Sequence, residues 1–126
     1  ITLPTIPQIR MTRRIAGVRT MDDTEMFKEF PDAVGMFSDW RKRGPVYKLP
    51  FGTLYGREVK NLICAGRNIS VTDAMWDITR VIPVCAVSGE AAGRAAAMTD
   101  DFAAFAETDL KRLQSKLAVG SFPTTL

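Results

Sequence analysis

Apolar and polar positions cluster along the chain in ways that predict its elements. The plainest block is NLICA at 61–65, a short apolar run cut off by Gly66. A run of that length predicts a strand buried on both faces of a parallel sheet. After an irregular polar interval, RVIP at 80–83 opens a long helix, because a proline in the first turn gives up no hydrogen bond that the helix would have made. Along that helix Ala86, Gly89, Ala92, Gly93 and Ala96 recur at helical spacing. Such a nearly side-chain-free stripe lets a helix press closely on a sheet or a ligand. Near the end, Asp100 and Asp101 mark a helix start, Phe102, Ala106, Leu110, Leu113 and Leu117 share one apolar face, and Gly120 ends it.

The N-terminal half reads differently. Residues 8–20 are rich in β-branched side chains and arginine and predict a strand, while Pro4 and Pro7 confine what precedes them to an edge or loop. Asp22 and Glu25 have the spacing of a capping box ahead of Met26, Phe27 and Phe30, which predicts a short helix over 23–30 stopped by Pro31. Residues 33–38 predict a strand and 40–45 a basic turn, and 46–55 predict two short extended pieces around Pro50 and Gly52.

Composition narrows the chemistry. The chain has 126 residues, one ordinary domain's worth, with a net charge of +3 and no histidine. The missing histidines remove the commonest metal ligand and general base, so no metal site is expected. Cys64 and Cys85 lie far apart in apolar segments without a CxxC pairing, the pattern of buried reduced thiols. No stretch reaches the about 18 to 20 apolar residues of a membrane span, which excludes a membrane partner of that kind and favours a cytoplasmic location. WRKRG at 40–44 sets basic residues beside an aromatic, a nucleic-acid cue that so small a net charge weakens.

NLICAGRNIS (61–70) and RVIPVCAVSGEAAGRAAA (80–97) together resemble the C-terminal signature of an FAD-dependent oxidoreductase family, related to flavoproteins of the fumarate reductase and glutathione reductase type. The fixed letters of that signature fall on Asn61, Leu62, Ala65, Gly66, Arg67, Ile69, Ser70, Arg80, Val81, Pro83, Cys85, Gly89, Gly93 and the alanines around them. PQIRMTRRIAG (7–17) and LPFGTL (49–54) resemble further segments, with Gly52 standing where the family usually has arginine. Asp73 stands where relatives often carry histidine, and Asp77 and Ile78 replace a usual Gly-Ser. Catalytic assignments from histidine-bearing relatives therefore do not transfer, and nothing ranks Asp73, Asp77 and Tyr55 as acid or base.

The resemblance implies an α+β fragment of an α/β flavoprotein. Residues 1–60 would form a β-rich substrate-side segment. Residues 61–126 would bring the last strand of the dinucleotide-binding sheet, then the small-residue helix and a C-terminal helix, the whole forming one compact unit. It also implies FAD contacts at Ala65, Gly66, Arg67, Ile69, Ser70, Arg80, Val81 and Ile82, with hydride transfer between flavin and a small-molecule substrate. Arg67 can bond phosphate or cap a neighbouring helix, and free N–H groups at Val81 and Ile82 favour the electron-rich edge of a flavin. Members of the family begin with a glycine-rich dinucleotide fingerprint, and no GxGxxG occurs in this sequence. The chain is thus expected to be a C-terminal portion that needs a partner N-terminal FAD-binding portion, and to hold no FAD stably and be inactive alone. The competing readings are a non-enzymatic basic α+β module that binds nucleic acid or an acidic partner through Arg10 to Arg19 and Trp40 to Arg43, and a domain whose helix simply packs on a sheet with no ligand.

Overall fold

A computed structural model of the chain describes residues 10–105 and 107–120. It is a small α+β arrangement in which β1 (Ala33–Ser38) and β2 (Val46–Pro50) precede α1 (Asp73–Thr79), α2 (Ile82–Ala96) and α3 (Glu107–Ala118). The strands form an antiparallel hairpin that pairs Met36 with Lys48, Phe37 with Tyr47 and Ser38 with Val46. The facing Phe37 and Tyr47 rings stack with centroids 5.5 Å apart, a cross-strand contact that helps hold the register.

The basic turn between the strands closes on its own carboxylate. Arg41 grips Asp39 through Nε–Oδ1 and Nη2–Oδ2, both 2.9 Å, and the Arg41 N–H donates to Asp39 Oδ1. This bidentate pair holds the buried Asp39 carboxyl below its ordinary range. Gly44, at φ 113°, turns the chain back into β2.

Helix α2 lies across β1. Its buried residues are Val84, Val87, Ser88, Ala91, Ala92 and Ala95, of which Val84, Val87, Ala91 and Ala95 join Val34, Phe37, Leu49 and Leu54 in a core that Met21, Ile69, Met75 and Ile78 extend. The approach is close because Gly35 has no side chain, and a Cβ there would collide with Val87. Helix α3 completes the core with Leu113 and Leu117, while Gln114 Nε2 donates to Pro31 O and Ala33 O, each at 2.9 Å, at the start of β1.

Several expected elements take other forms. In 8–20, Gln8 and Ile9 lie outside the described residues, and from Arg10 on the segment is irregular. Its N–H groups are shared among separate segments, Ile15 to Asn68 O, Val18 to Tyr55 O and Arg19 to Gly52 O, so no single ladder forms. The expected 23–30 helix does not form, and the segment is a pair of turns in which the Glu25 N–H donates to Asp22 O and the Lys28 N–H to Glu25 O. Glu25 does reach back to the Asp22 N–H at 3.1 Å, but Phe27 adopts φ 59° and donates its N–H to Val46 O instead of entering a helix.

The 61–65 run is not a doubly buried parallel strand. It makes one antiparallel bridge, Tyr55 to Ile63, and Leu62 is 45% exposed. A central strand needs hydrogen-bonding neighbours on both edges, and among the described residues only the 54–55 side supplies them. Conversely, the interval taken as irregular holds α1, begun by Thr72, whose Oγ1 accepts from Met75 N–H, and packed through Met75, Trp76, Ile78 and Thr79. The last helix starts at Glu107 rather than at Asp100. Phe102 is drawn into the core with its N–H on Lys60 O, and Asp101 Oδ1 caps only the turn at Ala103 and Ala104. Ala106 lies outside the described residues.

The fit between Gly35 and Val87 yields a stability test. Val87 is β-branched and helical, so its χ1 cannot swing freely, and Gly35→Ala is expected to destabilise the fold by about 1–3 kcal/mol. In Gly35→Ala/Val87→Ala the collision is gone, so a double-mutant cycle read by urea unfolding should return a favourable coupling, and additive effects would refute the contact.

Candidate functional site

Gly66 opens a short 3-10 turn, Gly66–Asn68, at φ 78°. Among the described residues a Cβ there would meet Cys85 at ordinary contact distance, Sγ at 3.8 Å and Cβ at 3.9 Å, so the requirement for glycine is the left-handed backbone rather than crowding. The turn faces the N-terminus of α2. Val81 is the N-cap, with extended backbone and no side-chain cap, and Pro83 follows at the second helical position. The Ile82 N–H has no intrahelical acceptor by position and Pro83 has no N–H at all, so this helix end keeps its positive potential uncapped.

Between turn and helix lies an open groove of about 820 Å³ lined by Arg10, Gly66, Arg67, Arg80, Val81, Ile82, Pro83 and Cys85. Of the residues expected to contact a ligand, Gly66, Arg67, Arg80, Val81 and Ile82 come together here. Ala65, half-buried, precedes the turn as its N-cap. Ile69 and Ser70 do not line the groove. Ile69 is wholly buried in the core, and Ser70 is tied to Thr20 Oγ1 at 3.0 Å while its N–H donates to Thr53 O.

The groove is electropositive and partly apolar. Arg80 shares its charge with Asp77, with Nε–Oδ1 at 2.9 Å and Nη2–Oδ1 at 2.8 Å. Arg10 and Arg67 are exposed. Ile82 is 85% exposed, a large apolar side chain standing at the lip. Burial pushes the Cys85 thiol above its ordinary value, and the Arg67 charge offsets part of that rise. Such a surface suits a flat ligand with an apolar face and an anionic or electron-rich edge.

Two contributors were not singled out from the sequence. Ser88 accepts the Gly66 N–H at 2.8 Å, and Trp76 Nε1–H donates to Arg67 O at 2.7 Å. Ser88 sits within a run of small residues, and its only signal was a hydroxyl on the core face four residues after Val84, whose carbonyl it bonds at 3.0 Å. Trp76 reaches the turn from nine residues away, so no local pattern marks it.

Asp73, Asp77 and Tyr55, the candidate acids and bases, do not line the groove and have partners elsewhere. Asp73 pairs with Arg14 at 2.8 Å, and Asp77 with Arg80 and Arg41. Tyr55 packs its ring 5.1 Å from that of Phe51. Three of the basic residues of the alternative reading are similarly engaged. Arg14 lies 4.3 Å over Trp76, Arg19 bonds Glu25 at 2.6 Å and lies over Phe30, and Arg41 is held by Asp39. Among the described residues no group of acidic or sulfur side chains could hold a metal ion, and no helix is long and apolar enough to cross a membrane.

Comparison with known families matches residues 2–117 to the one described as FAD dependent oxidoreductase. No curated protein and no solved structure matches the chain.

The Cys85 thiol reports on the groove. In a Cys64→Ala background, its alkylation is expected to reach half-maximal rate at a pH above that of an ordinary thiol. Arg67→Ala should move that midpoint higher still, because the cation that favours the thiolate is gone. A midpoint at or below the ordinary value, or a downward move in Arg67→Ala, would contradict the assigned surroundings.

Proposed function

Because this chain belongs to the FAD dependent oxidoreductase family, we propose that it acts as a C-terminal segment of such an enzyme, supplying the flavin-ring side of the FAD site and part of the substrate wall. The observation that carries this reading is the groove in which the Gly66 turn and the uncapped start of α2 face one another, with Arg10, Arg67 and Arg80 around them. Its residues fit the cofactor. The left-handed Gly66 leaves the turn without a side chain, Ile82 offers an apolar surface, and the Ile82 N–H with the helix dipole favours an electron-rich edge.

Gly66, Arg67, Arg80, Val81 and Ile82 would hold the cofactor, with Ala65 setting the start of the turn. Ile69 and Ser70 would act from beneath it by fixing the backbone. Bound FAD would supply hydride transfer to or from an organic substrate. The chain's own residues bind and orient. Arg67 is placed to take a phosphate or the electron-rich edge, Arg80 is braced by Asp77, and Arg10 stands at the outer wall, where a carboxylate-bearing substrate could pair with it. The half that grips the ADP end of FAD is assigned to an N-terminal portion carrying the glycine-rich fingerprint, so residues 1–60 and 61–126 would work as one unit docked on that partner.

This division makes a measurable demand. The 126-residue chain alone is expected to leave purification colourless, whereas a longer polypeptide joining it to a glycine-fingerprint half should carry roughly one FAD. In the longer form Arg67→Ala should weaken FAD binding by about tenfold. A yellow isolated chain holding stoichiometric FAD would sink the half-site assignment, and an Arg67→Ala variant of unchanged affinity would remove the groove from the FAD site.

A further inference from the structure

The Gly66–Asn68 turn is held by a different element at each of its residues. The Gly66 N–H donates to Ser88 Oγ on α2 at 2.8 Å, the Trp76 Nε1–H of α1 donates to Arg67 O at 2.7 Å, and the Ile15 N–H donates to Asn68 O at 2.8 Å. Ser88 is wholly buried and commits its own proton to Val84 O at 3.0 Å or Cys85 O at 3.1 Å, so its oxygen is locked as an acceptor. Trp76 is pinned in turn. Arg14 covers its ring at 4.3 Å while donating to Val71 O at 2.6 Å and pairing with Asp73 at 2.8 Å.

Neither Ser88 nor Trp76 lines the groove, whereas Gly66 and Arg67, the residues they hold, both do. The Ala65–Gly66 peptide and the Arg67 carbonyl are therefore fixed by two helices, while the Arg67 side chain is exposed and placed to meet a ligand. Resting on the FAD reading above, we propose that Ser88 and Trp76 are positioning residues that preset the Arg67-bearing turn against the start of α2, so that the groove meets the cofactor already formed. Without these bonds the turn would have to be ordered at the moment of binding, and affinity would fall by that ordering cost. The position of Arg67 relative to the flavin would also vary, which changes the electrostatics that tune the flavin.

The test uses the FAD-loaded polypeptide that carries this segment. Ser88→Ala removes the acceptor, and Trp76→Phe removes the donor while leaving a ring for Arg14. Each is expected to weaken FAD binding by about tenfold and to move the midpoint potential of the bound flavin. Ser88→Thr, which keeps the hydroxyl, should restore both quantities. In the flavin-free chain, the Gly66 amide should exchange its hydrogen about tenfold faster in Ser88→Ala than in wild type or Ser88→Thr. Wild-type affinity and potential in both Ser88→Ala and Trp76→Phe would overturn the proposal. So would equal losses in Ser88→Ala and Ser88→Thr with Trp76→Phe unaffected, the pattern of a packing effect. A wild-type polypeptide that binds no FAD would overturn the FAD reading itself and this proposal with it, whereas retained wild-type binding with unaffected variants removes this proposal alone.

Discussion

The Gly66 N–H donates to Ser88 Oγ across 22 residues of sequence and joins the loop half of the groove to its helical half. Its geometry follows from two constraints that act elsewhere. On the loop side, Gly66 can turn at φ 78° only because it carries no Cβ. On the helix side, Ser88 is buried because it lies on the stripe that packs against β1, between Val84 and Ala91, where an unpartnered hydroxyl would be costly. The bond satisfies a buried oxygen and a turn amide at once. Removing the Ser88 hydroxyl would take this acceptor from the Gly66 N–H, which is why turn and helix are coupled rather than merely adjacent.

The closeness of α2 to the hairpin comes from the opposite partner to the one its sequence suggests. Of the side-chain-poor stripe Ala92 is buried, yet Ala86, Gly89, Gly93 and Ala96 are exposed, and a Cβ on Gly89 or Gly93 would meet nothing within 4 Å among the described residues. The face that packs carries Val84, Val87, Ser88, Ala91 and Ala95, and the missing side chain is on the strand, at Gly35. Ridge and groove are exchanged: the helix supplies the knob at Val87 and the strand supplies the hole.

This exchange shows what was legible in the sequence. Helix α2 was, because Pro83 and the alanine-rich spacing carry a local signal, and so was β1, because a short apolar run between turns needs little else. The Gly66 turn and the residues around it were legible through the family signature. Which face of α2 would be buried was not, since both faces are apolar and only the position of Gly35 decides between them. The 61–65 run shows the same limit from the other direction, because an apolar pentapeptide becomes a strand only if neighbours pair with it. Helix α1 was missed because its local signal is two polar residues, Thr72 and Asp73, while its formation rests on tertiary burial of Met75, Trp76 and Ile78. Ser88 and Trp76 act through bonds to residues 22 and 9 positions away, and no window on the sequence reports those distances.

Charge allocation explains why the groove is electropositive on a chain with so small a net charge. Half of the other cations sit beside an anion: Arg14 with Asp73, Arg19 with Glu25, Arg41 with Asp39, Lys48 with Glu29, Lys60 with Asp101, Arg94 with Glu90 and Lys111 with Glu107. Each pair becomes a short dipole whose field is negligible beyond a Debye length of about 8–10 Å. Arg10 and Arg67, by contrast, face a concavity with no carboxylate in its lining, and the positive end of α2 points into the same space. The groove's potential is therefore set by where the anions are, and pairing elsewhere on the surface turns a nearly balanced composition into a local site for an electron-rich ligand.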